Sequence, residues 1–171
     1  MTQRLCLVHY HEIGLKGKNR ATFENQLVTN LHRALKPFDV ANIGRISGYI
    51  VVEAADHHAT DAMAAAIRQV PGVASVSLAY KCGLDENEYK AAAVQALSEA
   101  GDFSTFKVHA RRSSTTYPVH TLEMNQLVGS VLCEAFPQKK VDVHNPDVTV
   151  VVHVVQGSTY VYAASAPGVG G

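Results

Sequence analysis

The chain has 171 residues, 47% of them hydrophobic, with 15 Lys+Arg against 15 Asp+Glu. That length suits one domain or two small ones with ordinary apolar cores, while the charge balance and a pI near 7.1 exclude a uniformly basic nucleic-acid binder, whose pI usually exceeds about 9. No apolar run approaches the roughly 18 residues of a membrane span, and Met1-Thr2-Gln3-Arg4 is unlike a signal peptide, so a soluble, cytoplasmic protein with no membrane partner is predicted.

Residues 4–10 read as a strand. Gly14 and Gly17 mark a loop, and Asn19 offers an N-cap to a helix in which Phe23, Leu27, Leu31 and Leu35 recur every four residues before Pro37 ends it. Strands over 39–46 and 49–53 follow, joined by a hairpin turn at Ser47-Gly48. A second helix, 60–70, places Met63, Ile67 and Val70 on one face and stops at Pro71-Gly72. Val76, Leu78 and Tyr80 then alternate with small residues as a fourth strand. The order βαββαβ is a ferredoxin-like unit.

A boundary is predicted near Lys81 to Leu84. Beyond it, Asp85 with Glu88 three residues on suggests a capping-box variant opening a helix that ends near Gly101. A strand over 105–111, a Ser/Thr-rich turn and a helix over 121–135 come next. The apolar stripe of that helix, Met124, Leu127, Val128, Val131, Leu132 and Ala135, is core. Val141 and Val143 suggest a brief strand, and Val148 to Val154 a longer one that Gln156-Gly157-Ser158 turns back into 159–163. The fold class is therefore α+β / α/β: a ferredoxin-like domain over 1–81, an α/β domain over 82–164 and a small-residue linker over 165–171.

Basic residues cluster at three places: Lys16, Lys18 and Arg20; Lys107, Arg111 and Arg112; Lys139 and Lys140. The first surrounds a glycine-containing loop entering a helix N-terminus, which suits either a solvated helix start or contact with phosphate; it lacks P-loop spacing. In the second, Phe106, Val108 and Ala110 can face a core while Lys107, His109 and Arg111 line the other side. Arg111 and Arg112 point opposite ways, so one reaches ligand and the other anchors an acidic partner or a helix C-terminus. Tyr117 either stacks on a base or packs under its turn with Pro118. Asn125 lies off the apolar stripe. On the same side one turn later, Gly129 invites close approach of backbone or ligand, or close helix-to-sheet packing. Asn145-Pro146-Asp147 is a turn whose amide can face the basic strip.

Phe106 to Arg112, Tyr117-Pro118, the helix around Glu123 to Gly129, Asn145-Pro146-Asp147 and Pro167-Gly168-Val169-Gly170-Gly171 together resemble the THUMP domain, an RNA-binding module. Tyr10 to Arg20, with Phe23, Leu27 and Asn30-Leu31, resembles the ferredoxin-like domain that precedes it in tRNA 4-thiouridine synthetases. The resemblance implies recognition of the tRNA 3′ acceptor end by Lys16, Lys18, Arg20, Lys107, Arg111, Arg112, Tyr117, Asn125, Lys139, Lys140 and Asn145. It also implies an N-terminal fragment, with adenylation by ATP, a sulfur-donor protein, a possible role in thiamine biosynthesis and a possible homodimer belonging to the longer protein. Two other readings are a THUMP region of a methyltransferase, deaminase or pseudouridine synthase, and a ferredoxin-like small-molecule regulatory domain.

For this chain alone no enzyme activity, cofactor or metal is expected. The sequence has no SGGxDS-like loop for ATP and no paired-carboxylate or Ser/His/Asp constellation. Cys6, Cys82 and Cys133 lie far apart without zinc or CxxC spacing and are read as structural or inert. The nine histidines are read as solvated or structural.

Overall fold

The computed structural model describes residues 3–10, 18–46, 48–113 and 116–165. By internal contacts the chain divides into two compact units, one over 4–78 and one from 79 onward.

The first unit contains β1 (Gln3–Tyr10), α1 (Lys18–Ala34), β2 (Val40–Ile46), β3 (Tyr49–Ala54), a 3₁₀ turn (His57–Ala59), α2 (Thr60–Ile67) and the start of β4 (Val73–Cys82). Its strand order is β2-β3-β1-β4, with β3 antiparallel to both β1 and β2, as the ferredoxin-like reading requires. Cys6, Val8 and Tyr10 alternate along β1 toward the helices, where Leu27, Leu31 and Leu35 meet Met63 and Ile67 in one apolar cluster. The β2–β3 turn places Gly48 at φ 90°, a backbone state that a side chain at that position would strain.

Two local expectations shift. α1 opens at Lys18, so Asn19 lies in its first turn; the loop with Gly14, Lys16 and Gly17 lies outside the described residues. α2 ends at Ile67 instead of residue 70, and tight turns from Ala66 to Gln69 and from Ile67 to Val70 close it. Pro71 supplies the cause, because its ring disfavours helical geometry at Val70.

The second unit adds α3 (Glu86–Ser98), β5 (Thr105–Arg112), α4 (Thr121–Ala135), β6 (Lys140–Val141), β7 (Val148–Val155) and β8 (Ser158–Ser165) to the end of β4. The order is β4-β8-β7-β5-β6. β8 is antiparallel to β4 and β7, while β5 is parallel to β6 and β7. β4 is longer than predicted, and Ala79–Cys82 pairs with β8. By internal contacts the division between units falls between Leu78 and Ala79, within β4.

α3 and α4 cover one face of this sheet, where Tyr89, Leu97, Met124, Val128 and Leu132 pack with Phe106 and with Val148, Val150, Val152 and Val154 of β7. Burying each such side chain contributes roughly 1.5–3 kcal/mol. Asp85 caps α3 by accepting from the Asn87 N–H at 3.4 Å. Glu88 reaches back past the cap to the Gly83 N–H, 3.2 Å away, so half of the predicted capping box is redirected to the preceding turn.

Asp147 pins β5 beside β7. Its carboxylate accepts from the N–H groups of Ser104 and Thr105 at 2.8 and 3.1 Å, and these donors hold its pKa below the usual carboxylate range. A carboxyl with a depressed native pKa stabilises the fold above its unfolded pKa, and that contribution is lost as pH falls through the native value. Asp147→Ala should thus lower the melting temperature at neutral pH, and the difference from wild type should narrow through the acid range below about pH 4.

Gly129 gives a second test. A Cβ built there meets nothing within 4 Å, so neither close backbone approach nor tight helix-to-sheet packing accounts for its mid-helix position. Gly129→Ala should therefore raise unfolding stability by about 1 kcal/mol, measured by denaturant titration.

Candidate nucleic-acid interface

β5 separates its residues as the alternation predicts. Phe106 and Ala110 are buried with the α3–α4 core and Val108 packs against it, while Lys107 is half-buried and His109 and Arg111 are exposed. Strand register extends this second face across the unit. Arg111 lies beside His153, which pairs with Tyr160, which pairs with Lys81. One row along, His109 lies beside Val151 and Tyr162. Lys140 on β6 is level with Thr105 and falls on the same face as Lys107.

Exposure on this face is concentrated at the β5–β6 side. His153 is 1% exposed and Tyr160 and Tyr162 are each 6% exposed, so these rings do not offer themselves for stacking. The accessible strip is therefore Lys140, Lys107, His109 and Arg111. Burial pushes the His109 pKa down, and the adjacent Arg111 and Lys107 push it further. For His153 burial, then Arg111 and His109, lower the value to about 4. Both imidazoles are neutral near pH 7, so lysine and arginine supply the positive charge.

Four residues proposed from sequence serve the fold itself. Arg112 turns to the core side, where its Nη1 donates to the Tyr117 carbonyl at 2.8 Å. Tyr117 is 9% exposed; its hydroxyl donates to the Leu84 carbonyl at 3.0 Å and contacts the Tyr89 hydroxyl at 3.2 Å. This ring packs under its turn and presents no stacking face. The Asn125 Oδ1 accepts from the Ala110 N–H at 2.9 Å, satisfying β5 backbone beyond the reach of two-residue β6. The Lys139 Nζ donates to the Phe103 carbonyl and sits 4.7 Å above the Phe103 ring.

The remaining positions divide differently. Asn145 is exposed, but its backbone N–H donates to Asp142 Oδ1 at 2.9 Å, making the 142–145 segment a side-chain-closed turn. Arg20 is exposed on α1 of the other unit, Lys18 begins that helix, and Lys16 lies outside the described residues. From the original set, the structure brings together Lys107, Arg111 and Lys140. It adds His109 to their strip and places His153 and Lys81 in the Arg111 row. His153 was legible only as a histidine interrupting the valine run of β7; aligning it with Arg111 needs the strand register.

The opposite side of this unit has another character. A groove of about 330 Å³ between α3 and α4 is lined by Lys90, Glu123, Leu127, Val131 and Glu134 among others. Its two carboxylates oppose phosphate, leaving the sheet edge as the cationic approach. Burial raises the pKa of Cys6 and Cys82 to about 11 in each case, which disfavours thiolate chemistry at these two positions; Cys133 is exposed on α4.

Comparison with known proteins agrees with both units. The ThiI ferredoxin-like domain family matches residues 5–77 and the THUMP domain family matches residues 85–164. A "Probable tRNA sulfurtransferase" of Thermoanaerobacter pseudethanolicus is 33% identical over 169 residues, covering 99% of this chain and 43% of that protein. One from Moorella thermoacetica is 35% identical over 165 residues, covering 96% and 42%. Among solved structures, a 4-thiouridine synthetase in complex with RNA and bound ATP superposes with a TM-score of 0.80 at 28% identity, covering 95% of this chain and 41% of that one. PH1313 from Pyrococcus horikoshii also gives 0.80, at 26% identity, covering 97% and 55%. The chain spans less than half the length of the curated relatives it matches. It belongs to the ThiI ferredoxin-like and THUMP domain families, joined in that order as in the N-terminal part of tRNA sulfurtransferases.

Proposed function

We propose that this chain is the tRNA-binding region of a tRNA sulfurtransferase and that the β5–β6 edge of its THUMP domain holds the single-stranded 3′ acceptor end. The observation carrying this reading is that Lys107, Arg111 and Lys140 occupy one side of an exposed sheet edge. Three cations on rigid backbone can contact successive phosphates without a basic overall composition. The unpaired end suits such an edge, since its bases remain available to stack and hydrogen-bond as those of a closed duplex do not. The RNA bound to the structurally similar 4-thiouridine synthetase supports the choice of ligand.

On this reading, sulfur transfer, ATP and a sulfur-donor protein belong to the portion of the relatives beyond the matched region. The protein works in the cytoplasm, and its full-length form is a candidate homodimer.

The test is a binding titration with tRNA, and with tRNA lacking its 3′ single-stranded end, at several salt concentrations. Lys107→Ala with Arg111→Ala should weaken binding to intact tRNA and reduce the salt slope by roughly 0.7 per lost single-stranded phosphate contact. Equal affinity for both RNAs and both proteins would reject the site and the acceptor-end assignment. Asn125→Ala, in contrast, should leave the salt slope unchanged while lowering unfolding stability by about 1–2 kcal/mol, because it removes the partner of the Ala110 N–H.

A further inference from the structure

The groove between α3 and α4 carries a charge pattern that helix stability does not explain. Glu123, Leu127 and Val131 follow one another at four-residue spacing along α4, and Glu134 comes three residues later, so all four share one side of the helix. Leu127 and Val131, both half-buried, form an aliphatic floor with an exposed carboxylate at each end. About 16 Å of helix separates the two carboxylates. Leu122, 69% exposed, stands one turn before Gln126 on the adjoining rim and extends the apolar surface past Glu123.

The one cation in the groove, Lys90 on the α3 wall, is held by Glu86 at 3.3 Å. Among the described residues neither Glu123 nor Glu134 has an ion-pair partner, so two carboxylates are left over. Glu123 lies in the first turn of α4, where the helix dipole favours an acid. Glu134 lies in the last turn, where the dipole opposes one and no basic residue is present. Lys139, beyond the helix end, is committed to the carbonyl and ring of Phe103. A cation arriving from outside meets both the Glu134 carboxylate and the negative end of α4.

We propose that the α3–α4 groove docks a cationic amphipathic helix of a protein partner. Aliphatic side chains one turn apart on that helix settle on Leu127 and Val131, while a lysine or arginine beyond each of them reaches Glu123 or Glu134. A compact ligand reaches only one of the two carboxylates, and nucleic acid is repelled by both. The aliphatic floor adds what a purely ionic partner leaves unused. Since the groove lies across the sheet from Lys107 and Arg111, the proposal is independent of the reading of the β5–β6 edge as the RNA site.

The probe is a synthetic helical peptide of about 15 residues with two leucines one turn apart and a lysine one turn beyond each. It is titrated into the chain while the Leu127 and Val131 methyl groups are followed by NMR. The expected result is a saturable shift of those methyls. Glu123→Lys combined with Glu134→Lys should weaken binding about tenfold, and a peptide carrying glutamates in place of its lysines should bind this variant better than wild type. Both positions are exposed, which makes the substitutions compatible with folding. Glu134→Lys alone should raise the melting temperature of the free chain while lowering peptide affinity, because it removes an acid from the helix C-terminus. No saturable methyl shift, or an affinity indifferent to charge reversal, overturns the proposal. Spermidine or a tRNA transcript moving the same methyls as strongly assigns the groove to a polyamine or to RNA and overturns it too. So do concentration-dependent shifts of these methyls without peptide, which assign the groove to a second copy of the chain.

Discussion

The structure of the second unit depends on the alternation of β5. One strand sends Phe106 and Ala110 into the apolar core and holds Lys107, His109 and Arg111 on the reverse side. A one-residue slip against β7 would exchange those faces, burying cations and exposing a phenyl ring. The buried core and the cationic face are consequently two readings of the same register. Asp147 fixes that register at the start of the strand, and Asn125 satisfies the Ala110 N–H where the short β6 has already ended.

Several polar groups that resemble a binding constellation in sequence instead complete the backbone's hydrogen bonding. Arg112 steadies the carbonyl of Tyr117, whose hydroxyl contacts Leu84 and Tyr89. Lys139 is held by the carbonyl and ring of Phe103. A buried or irregular backbone must find partners for its N–H and C=O groups, and long polar side chains provide them across loops. Such residues preserve the cationic edge indirectly by preserving the turns that bound it.

The elements most legible in sequence have a physical period matched to their structure: Leu27, Leu31 and Leu35 on α1, the stripe of α4, and the alternation of β5. Element ends were less legible where neighbouring chemistry intervened, as Pro71 does for α2 and the pairing with β8 does for β4. Alternation put Lys107 and Arg111 on the face of β5 turned from the core, whereas Tyr117 and Asn125 carry no periodic mark of their hydrogen-bond partners. Lys140 joins the strip through parallel pairing across an intervening helix. Local sequence encodes that face only after strand register is known.

The parallel attachment of β5 also orders how the unit can be assembled. β7 and β8 meet across a turn at Gln156-Gly157, with Val155 opposite Ser158, and can zip together with little loop entropy. The anchor between Thr105 and Asp147 instead joins positions 42 residues apart. It closes a loop that contains the whole of α4. The cationic edge thus carries the larger loop-closure cost of the two, and its alignment depends on a long-range pairing that the β7–β8 hairpin does not need.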